Sequence, residues 1–392
     1  MDQFPRSTYS DVDVRRAGKI IAGDVLWTDD TAPLIREAFA VANSWRDSHA
    51  FPMRSIRHSV IHHMRRIDVQ GISAARLKRM KAIRAKLRRS PVELHKLQDL
   101  GGCRFILPTI ADVHKLTAAL KEQMPHTLRS ERNYIAEPKP DGYRSQHLMY
   151  TYIGRKGRAI YDGRRIEVQV RTQLQHAWAT TVEAVGLFRG EQLKNHQGSD
   201  EWLRLFELMS SEFAEAEGCP VPQSVANMAQ RQREIRHLAA SLDALQVLAS
   251  VTHGFRGADV PLASDYNATH YLIRYDHASK TVRVEPYRMS ITATRSYDIA
   301  EELDNRTGWD TQNVVLVEVD KIANLKAAYP NYFGDVGLFK TQLRLVTKGQ
   351  SAVEYSIAER PTRMPDKRER IDLAWLRSST KWRPNLGQRK GD

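Results

Sequence analysis

The sequence predicts an α+β protein: a mixed β-sheet flanked by helices, followed by a second, smaller C-terminal α/β domain. Three observations predict it. The periodicities run from helical, to strands mixed with helices, to helical again, which is the pattern of an α+β or mixed α/β unit. A Gly-Cys-Pro-Val-Pro break stands at 218–222. Beyond it, short alternating segments again interleave with helical ones. The length of 392 residues suits two or three domains of ~150 residues.

Up to about residue 50 the chain reads as helical. Asp29 and Asp30 precede a run in which Leu34, Ile35, Phe39, Val41 and Trp45 recur at near-helical spacing. A helix over 54–66 puts Ile56, Val60, Ile61 and Met64 on one side and arginines on the other. Alternation then takes over. Residues 103–107 read as a strand, and 148–153 and 165–172 as strands joined across a glycine-containing turn region. Between them 111–124 is an amphipathic helix carrying Val113, Leu116, Leu120 and Met124. Residues 173–190 and 200–217 read as helices. The first domain is thus expected at 1–217, and a linker with one long spacer helix at 218–250. A regulatory or sensor domain is expected at 251–359, with strands at 271–275, 281–287 and 313–319 and helices near 297–305 and 320–328. A basic tail closes the chain at 360–392.

Composition excludes several classes. Hydrophobic residues at 41% and charged residues at 27% are ordinary globular usage, so a wholly disordered chain is excluded. No apolar run reaches the ~18 residues a spanning helix needs. The first ten residues hold no apolar signal core, so a cytoplasmic protein without a membrane partner is expected. Cys103 and Cys219 stand far apart, which argues against a disulfide framework or a cysteine zinc site. The net charge of +14 calls for an anionic partner. It is localised: residues 54–89 carry a net +11, residues 360–392 a net +6, and the remainder is near −3.

Four islands carry chemistry. In the first, Arg76 and Lys78 share one face of an extended segment and Lys86 follows on a helix; three converging cations suit a triphosphate. In the second, Asp99 precedes a glycine pair and a strand that carries Arg104. Placed at a strand mouth, Asp99 suits Mg²⁺, which takes one or two carboxylates plus substrate phosphates. In the third, Pro140-Asp141-Gly142 is a turn that presents Tyr143 for stacking on a base, with Lys139, Arg144 and His147 as donors around it. In the fourth, alternation sets Glu167, Gln169 and Arg171 on one strand face and Val168 and Val170 on the other. Taken singly, each island is also consistent with an ordinary solvated helix face, turn or sheet surface.

Together, in this order and spacing, the islands resemble the synthetase domain of the RelA/SpoT nucleotidyl pyrophosphotransferase family over roughly residues 50–215. The resemblance implies that Arg76, Lys78 and Lys86, with Arg104, grip ATP. It implies that Asp99 and Glu167 hold Mg²⁺, and that Glu167 also serves as base. Tyr143 is then the ring on which the acceptor stacks, with Lys139, Arg144, His147, Gln169 and Arg171 beside it. Trp178 and Glu183 match the family's following helix. Three positions depart from the pattern: Ala82 where a serine is common, Asp141 for asparagine, and Ala184 for histidine. No His-Asp dipeptide is present, so product hydrolysis is not expected.

The implied reaction moves the β,γ-pyrophosphate of ATP to a ribose 3′-hydroxyl. Three readings of the acceptor and role follow. One is an alarmone synthetase acting on GDP or GTP. A second is a toxin-like branch that modifies the 3′-CCA end of tRNA and so blocks translation. It is favoured by the cations Arg79, Lys81, Arg84, Arg88 and Arg89, which the ATP grip does not use. A third is a catalytically degenerate RNA-binding or sensor module, against which the intact Asp99, Tyr143 and Glu167 argue. Within the second domain, Tyr329-Pro-Asn-Tyr332 resembles the Tyr-x-x-Tyr element of CapRel-like fused toxin–antitoxins. There the C-terminal domain blocks the ATP site until a phage protein is sensed. The trigger and the oligomeric state have no motif in the sequence.

Overall fold

The computed structural model describes residues 4–23, 28–155, 157–189, 191, 193, 198–221, 227–254, 268–276, 279, 281–306, 312–319, 322–333 and 335–355. The basic tail at 360–392 lies outside them.

Three helices open the chain: α1 (Asp11–Ala22), α2 (Ala32–Asp47) and α3 (Ala50–Arg66). Ser10 starts α1 with a reciprocal capping box to Asp13. Then come β1 (Ile72–Leu77), α4 (Met80–Arg89), β2 (Gly101–Leu107), α5 (Ile110–Gln123), β3 (Thr127–Asn133), β4 (Gln146–Thr151) and β5 (Arg165–Thr172). Four helices follow: α6 (Gln173–Arg189), α7 (Asp200–Ala216), α8 (Met228–Ser241) and α9 (Ala244–Gly254). The last elements are β6 (His270–Asp276), β7 (Thr281–Tyr287), α10 (Ser290–Arg306), β8 (Gln312–Val319), α11 (Ile322–Ala328) and α12 (Gly337–Thr347).

The α+β class with a mixed sheet is what the structure shows. Eight strands form one sheet in the order β3-β4-β5-β2-β1-β8-β6-β7. Among the described strands only β2 and β5 pair in parallel; α5, β3 and β4 intervene along the chain, as a parallel pair requires a crossover. The single spacer helix expected near 224–249 is instead two helices. The chain breaks at Asp243, whose positive φ of 46° ends α8 before α9 begins.

The C-terminal strands do not form a sheet of their own. β8 pairs with β1, the strand that bears Arg76, through Ala74↔Val319 and Ala75↔Glu318. One core joins Ala74, Leu174, Trp202 and Phe206 of the first part to Val315, Val317, Tyr329 and Phe339 of the second. The seam is also charged and buried. Arg57, 1% exposed, donates to Glu318 at 3.2 Å. Arg46, fully buried, donates to Asp298 at 2.7 Å and Glu301 at 3.1 Å. Buried pairs of this kind cost about 3–5 kcal/mol when one partner is removed. A chain cut near 220 would therefore open the edge of β1 and strip both arginines of these carboxylates. No sequence motif announces this, because the partners lie more than 250 residues apart.

The two faces of the sheet differ. On one, Cys103, Phe105, Ile166, Val168 and Val170 pack with α3 and α5. On the other, the same strands turn polar residues toward a large cavity.

Candidate active site

Register builds the cavity. In one cross-strand row Arg76 of β1 faces Gly102 of β2, Gly102 faces Glu167 of β5, and Glu167 faces Met149 of β4. In the next row Arg104 faces Gln169 and Gln169 faces His147. Strand alternation keeps all these side chains on one face. The cavity they line is about 870 Å³, ample for a nucleotide.

At its floor Asp99 Oδ2 accepts from Lys78 Nζ at 2.9 Å and Lys86 Nζ at 2.8 Å. Burial works to raise the Asp99 carboxyl, and the two ammoniums outweigh it and hold it below the ordinary range. Asp99 Oδ1 is buried with no hydrogen-bond partner. Gly102 leaves space in the row, since a Cβ there would meet nothing nearer than the Glu167 carbonyl at 4.0 Å. An unsatisfied carboxylate oxygen, a gap and a second carboxylate fit a cation that also takes substrate phosphates, as Mg²⁺ does. Among the described residues no cluster of three His, Cys, Asp or Glu is poised to hold a metal. The phosphates would have to complete the coordination.

Glu167 is held from both sides. His147 Nδ1 donates to Oε1 at 2.9 Å, and Gln169 Nε2 donates to Oε2 at 2.7 Å. Burial works to raise the Glu167 carboxyl, and His147 together with the Gln169 bond outweighs it and keeps the group below the usual carboxylate range. Tyr143 Oη lies 2.9 Å from His147 Nε2. The imidazole thus bridges Glu167 at Nδ1 and Tyr143 at Nε2. The three side chains form one hydrogen-bonded line into the cavity.

Tyr143 is presented by the turn that the sequence predicts. Gly142 has φ +89°, and a Cβ there would meet Ser210 Cβ at 2.8 Å, so only glycine fits. Asp141 Oδ1 accepts the Tyr143 N–H at 2.9 Å, a role its oxygen performs as an asparagine would. Lys139 Nζ lies 4.7 Å from the centroid of the Tyr134 ring and 5.1 Å from that of Tyr143. Tyr134 also stands edge-on to His147 at 5.2 Å. Sequence reasoning missed Tyr134; its spacing of nine residues from Tyr143, across the turn, was the available signal.

Two site residues behave differently from expectation. Arg144 does not line the cavity. It is 2% exposed and donates to Glu217 at 2.8 Å and Ser210 at 3.3 Å, tying the turn to α7. Glu217 also accepts from Thr172 and Gln175. Arg144→Ala should therefore cost about 3–5 kcal/mol of stability, as a broken buried pair does. Urea unfolding would show the loss, and an unchanged midpoint would contradict it. Arg171 does reach the cavity but is buried, with Nη2 on His176 Nδ1 at 2.7 Å. Burial, then Arg104 beside it, pushes its basicity down.

Most of the surplus cations on α4 and just before it are also engaged. Arg84 donates to the Ile21 carbonyl, and Arg88 to those of Ala22 and Gly23, covering the C-terminal end of α1. Arg79 donates to Asn313 at 2.7 Å and Arg89 to the Ala85 carbonyl. Ala184 is fully buried in the core.

The C-terminal part reaches the same cavity. Arg104 donates to the Ala328 carbonyl at 3.2 Å, and His176 Nε2 meets the Ala327 carbonyl at 2.8 Å. The Arg104 guanidinium lies over the Tyr329 ring, 5.5 Å from its centroid. Tyr329 and Tyr332 are 3% and 5% exposed. Burial works against the charge on Arg76, and Tyr329, Tyr332 and Glu183 around it outweigh that and hold it up.

Residues 75–190 match the region found in RelA/SpoT proteins. All the cavity residues discussed above, apart from Tyr329, fall inside that RelA/SpoT region. Among similar proteins, the GTP pyrophosphokinase YjbM of Bacillus subtilis is 32% identical over 111 residues, covering 27% of this chain and 51% of that protein. YwaC of the same organism, also a GTP pyrophosphokinase, is 30% identical over 113 residues, covering 27% and 53%. The chain thus spans about half the length of these relatives. A solved structure of the B. subtilis small alarmone synthetase 1, bound to its product pppGpp, is 19% identical with a TM-score of 0.38. It covers 44% of this chain and 90% of its own. No helix among the described residues is long and apolar enough to cross a membrane.

Proposed function

We propose that this chain is an ATP-dependent pyrophosphokinase. The reading rests chiefly on one observation: Arg76, Lys78, Lys86 and Arg104 converge with Asp99 and Glu167 on a single cavity that also holds Tyr143. The acceptor's 3′-oxygen attacks the β-phosphorus of ATP, the bond from that phosphorus to the bridging oxygen breaks, and AMP leaves with the oxygen. The cations neutralise charge on the phosphates in flight, the main demand of phosphoryl chemistry. Mg²⁺ bound by Asp99 and Glu167 would supply further charge neutralisation. Glu167, ionised and fixed by His147 and Gln169, is placed to take the hydroxyl proton. Tyr143, with Tyr134 and Lys139 around it, offers the acceptor base a ring to stack on.

The acceptor is best read as a guanosine nucleotide. YjbM and YwaC are named GTP pyrophosphokinases, and several of the surplus cations that favoured tRNA are engaged in internal contacts. The tRNA 3′ end remains a second reading, favoured by the covered donor site. The Ala328 carbonyl and the Tyr329 ring engage Arg104, one of the cations that would grip ATP, which is the arrangement expected of a harmful activity kept shut. In this reading Tyr329 and Tyr332 are autoinhibitory, and a binding event, such as contact with a phage protein, lifts them.

The deciding experiment supplies γ-labelled ATP with GDP, GTP or tRNA to the chain carrying Tyr329→Ala and Tyr332→Ala. Label in GDP or GTP supports the first reading. Label in tRNA alone selects the second. Label in none would leave only a degenerate binding module.

A further inference from the structure

We propose that Glu301 is a positioning residue for the donor site: α10 supplies, from the C-terminal part of the chain, the N-terminal cap that helix α4 lacks. This rests on the reading that Lys86 of α4 grips the donor phosphates.

Helix α4 is poorly equipped to start itself. It has ten residues, no acid in its first turn, and Arg79 at its N-cap with no side-chain capping bond. It carries Lys81, Arg84, Lys86, Arg88 and Arg89 and no carboxylate at all. The first N–H groups of a helix have no partner within it, and its N-terminus carries partial positive charge. Lys81 in the first turn adds to that charge, whereas Lys86, Arg88 and Arg89 lie in the last turn.

The remedy comes from 221 residues away. Glu301 Oε1 accepts the Met80 N–H, the first of α4, at 2.8 Å. Its other oxygen accepts from Arg46 at 3.1 Å. Arg46 is in turn fixed by Asp47 and Asp298, and its guanidinium lies over Tyr297, 5.0 Å from the ring centroid. Glu301 is therefore aimed by a buried lattice rather than free to swing. Arg79, the N-cap residue, adds a second tie to the same part of the chain through Asn313. At the other side of α4, Lys86 reaches Asp99. The site of phosphate binding is thus anchored through α4 to α10.

The C-terminal part then has two roles. The segment 322–333 covers the donor site, whereas α10 completes it. Opening by removal of the whole C-terminal part would lose the cap along with the cover, so an active state needs local displacement of 322–333.

Hydrogen exchange on the full chain tests the cap without any nucleotide. Glu301→Ala should speed exchange of the first-turn amides of α4 by about tenfold or more relative to β8 and α10. Glu301→Gln, which can still accept the bond, should show a smaller change. Unchanged protection in Glu301→Ala, or loss spread evenly over the sheet, would overturn the proposal. Adding Glu301→Ala to the Tyr329→Ala, Tyr332→Ala chain should weaken binding of a non-hydrolysable ATP analogue several-fold and leave the acceptor KM unchanged. Faster α4 exchange with undiminished analogue affinity would overturn the positioning role. Failure of the uncapped and capped chains alike to bind the analogue would instead defeat the pyrophosphokinase reading, leaving the exchange result standing.

Discussion

Glu167→Gln is expected to lower pyrophosphate transfer by about 10²–10⁴-fold, the usual contribution of a positioned base. The parent for this comparison is the chain carrying Tyr329→Ala and Tyr332→Ala, which the proposed autoinhibition would leave open. The amide keeps the shape of the carboxylate and its carbonyl can still accept from His147 Nδ1, so the unfolding midpoint should change little. What it cannot do is take a proton or share a cation with Asp99. Initial rates with labelled ATP give the answer, and a retained rate would remove Glu167 from the chemistry. The pH profile adds a check with a definite sign. His147 holds the Glu167 carboxyl below the ordinary carboxylate range. The base therefore stays ionised as pH falls to that range, and an acid limb due to Glu167 must lie below the ordinary glutamate value. A limb near neutrality would assign the essential proton to another group.

Opening the donor site should produce the other large effect. Tyr329 and Tyr332 are buried, Tyr329 beneath the Arg104 guanidinium, and truncating a buried aromatic typically costs about 3–5 kcal/mol. If only ~3 kcal/mol of that falls on the closed arrangement, the ratio of closed to open chains changes by about two powers of ten. The double alanine variant should then bind an ATP analogue far more tightly than the parent chain and arrest growth when expressed. Tyr329→Phe should leave the site closed, because the ring over Arg104 is kept. Equal affinity in parent and double variant, with the fold intact by circular dichroism, would reduce both tyrosines to packing.

Much of the sheet that lines the cavity could be read locally. Alternation in 165–172 separates Val168 and Val170 from Glu167, Gln169 and Arg171, and the strand is found over those residues. The turn at 140–142 announces itself through proline, aspartate and glycine, and Gly142 does adopt positive φ. Arg144 shows where this reasoning stops. It stands between the cavity residues Tyr143 and His147 in sequence, yet Glu217 and Ser210 draw it to the buried side. The surplus arginines of α4 teach the same lesson. Their charge is legible, but that Arg84 and Arg88 are engaged by the end of α1 is not.

By itself, then, the sequence determined the polar and apolar faces of the strands, the loop that presents Tyr143 and the set of groups available for phosphate chemistry. These follow from backbone periodicity and turn preferences, which act over a few residues. Only the tertiary structure decided that β8 continues the sheet that lines the cavity, that Arg104 lies over Tyr329 and that Glu301 accepts the first N–H of α4. Those contacts join residues more than 200 positions apart. They are selected by register, burial and charge pairing across the folded core, none of which leaves a spacing in the chain.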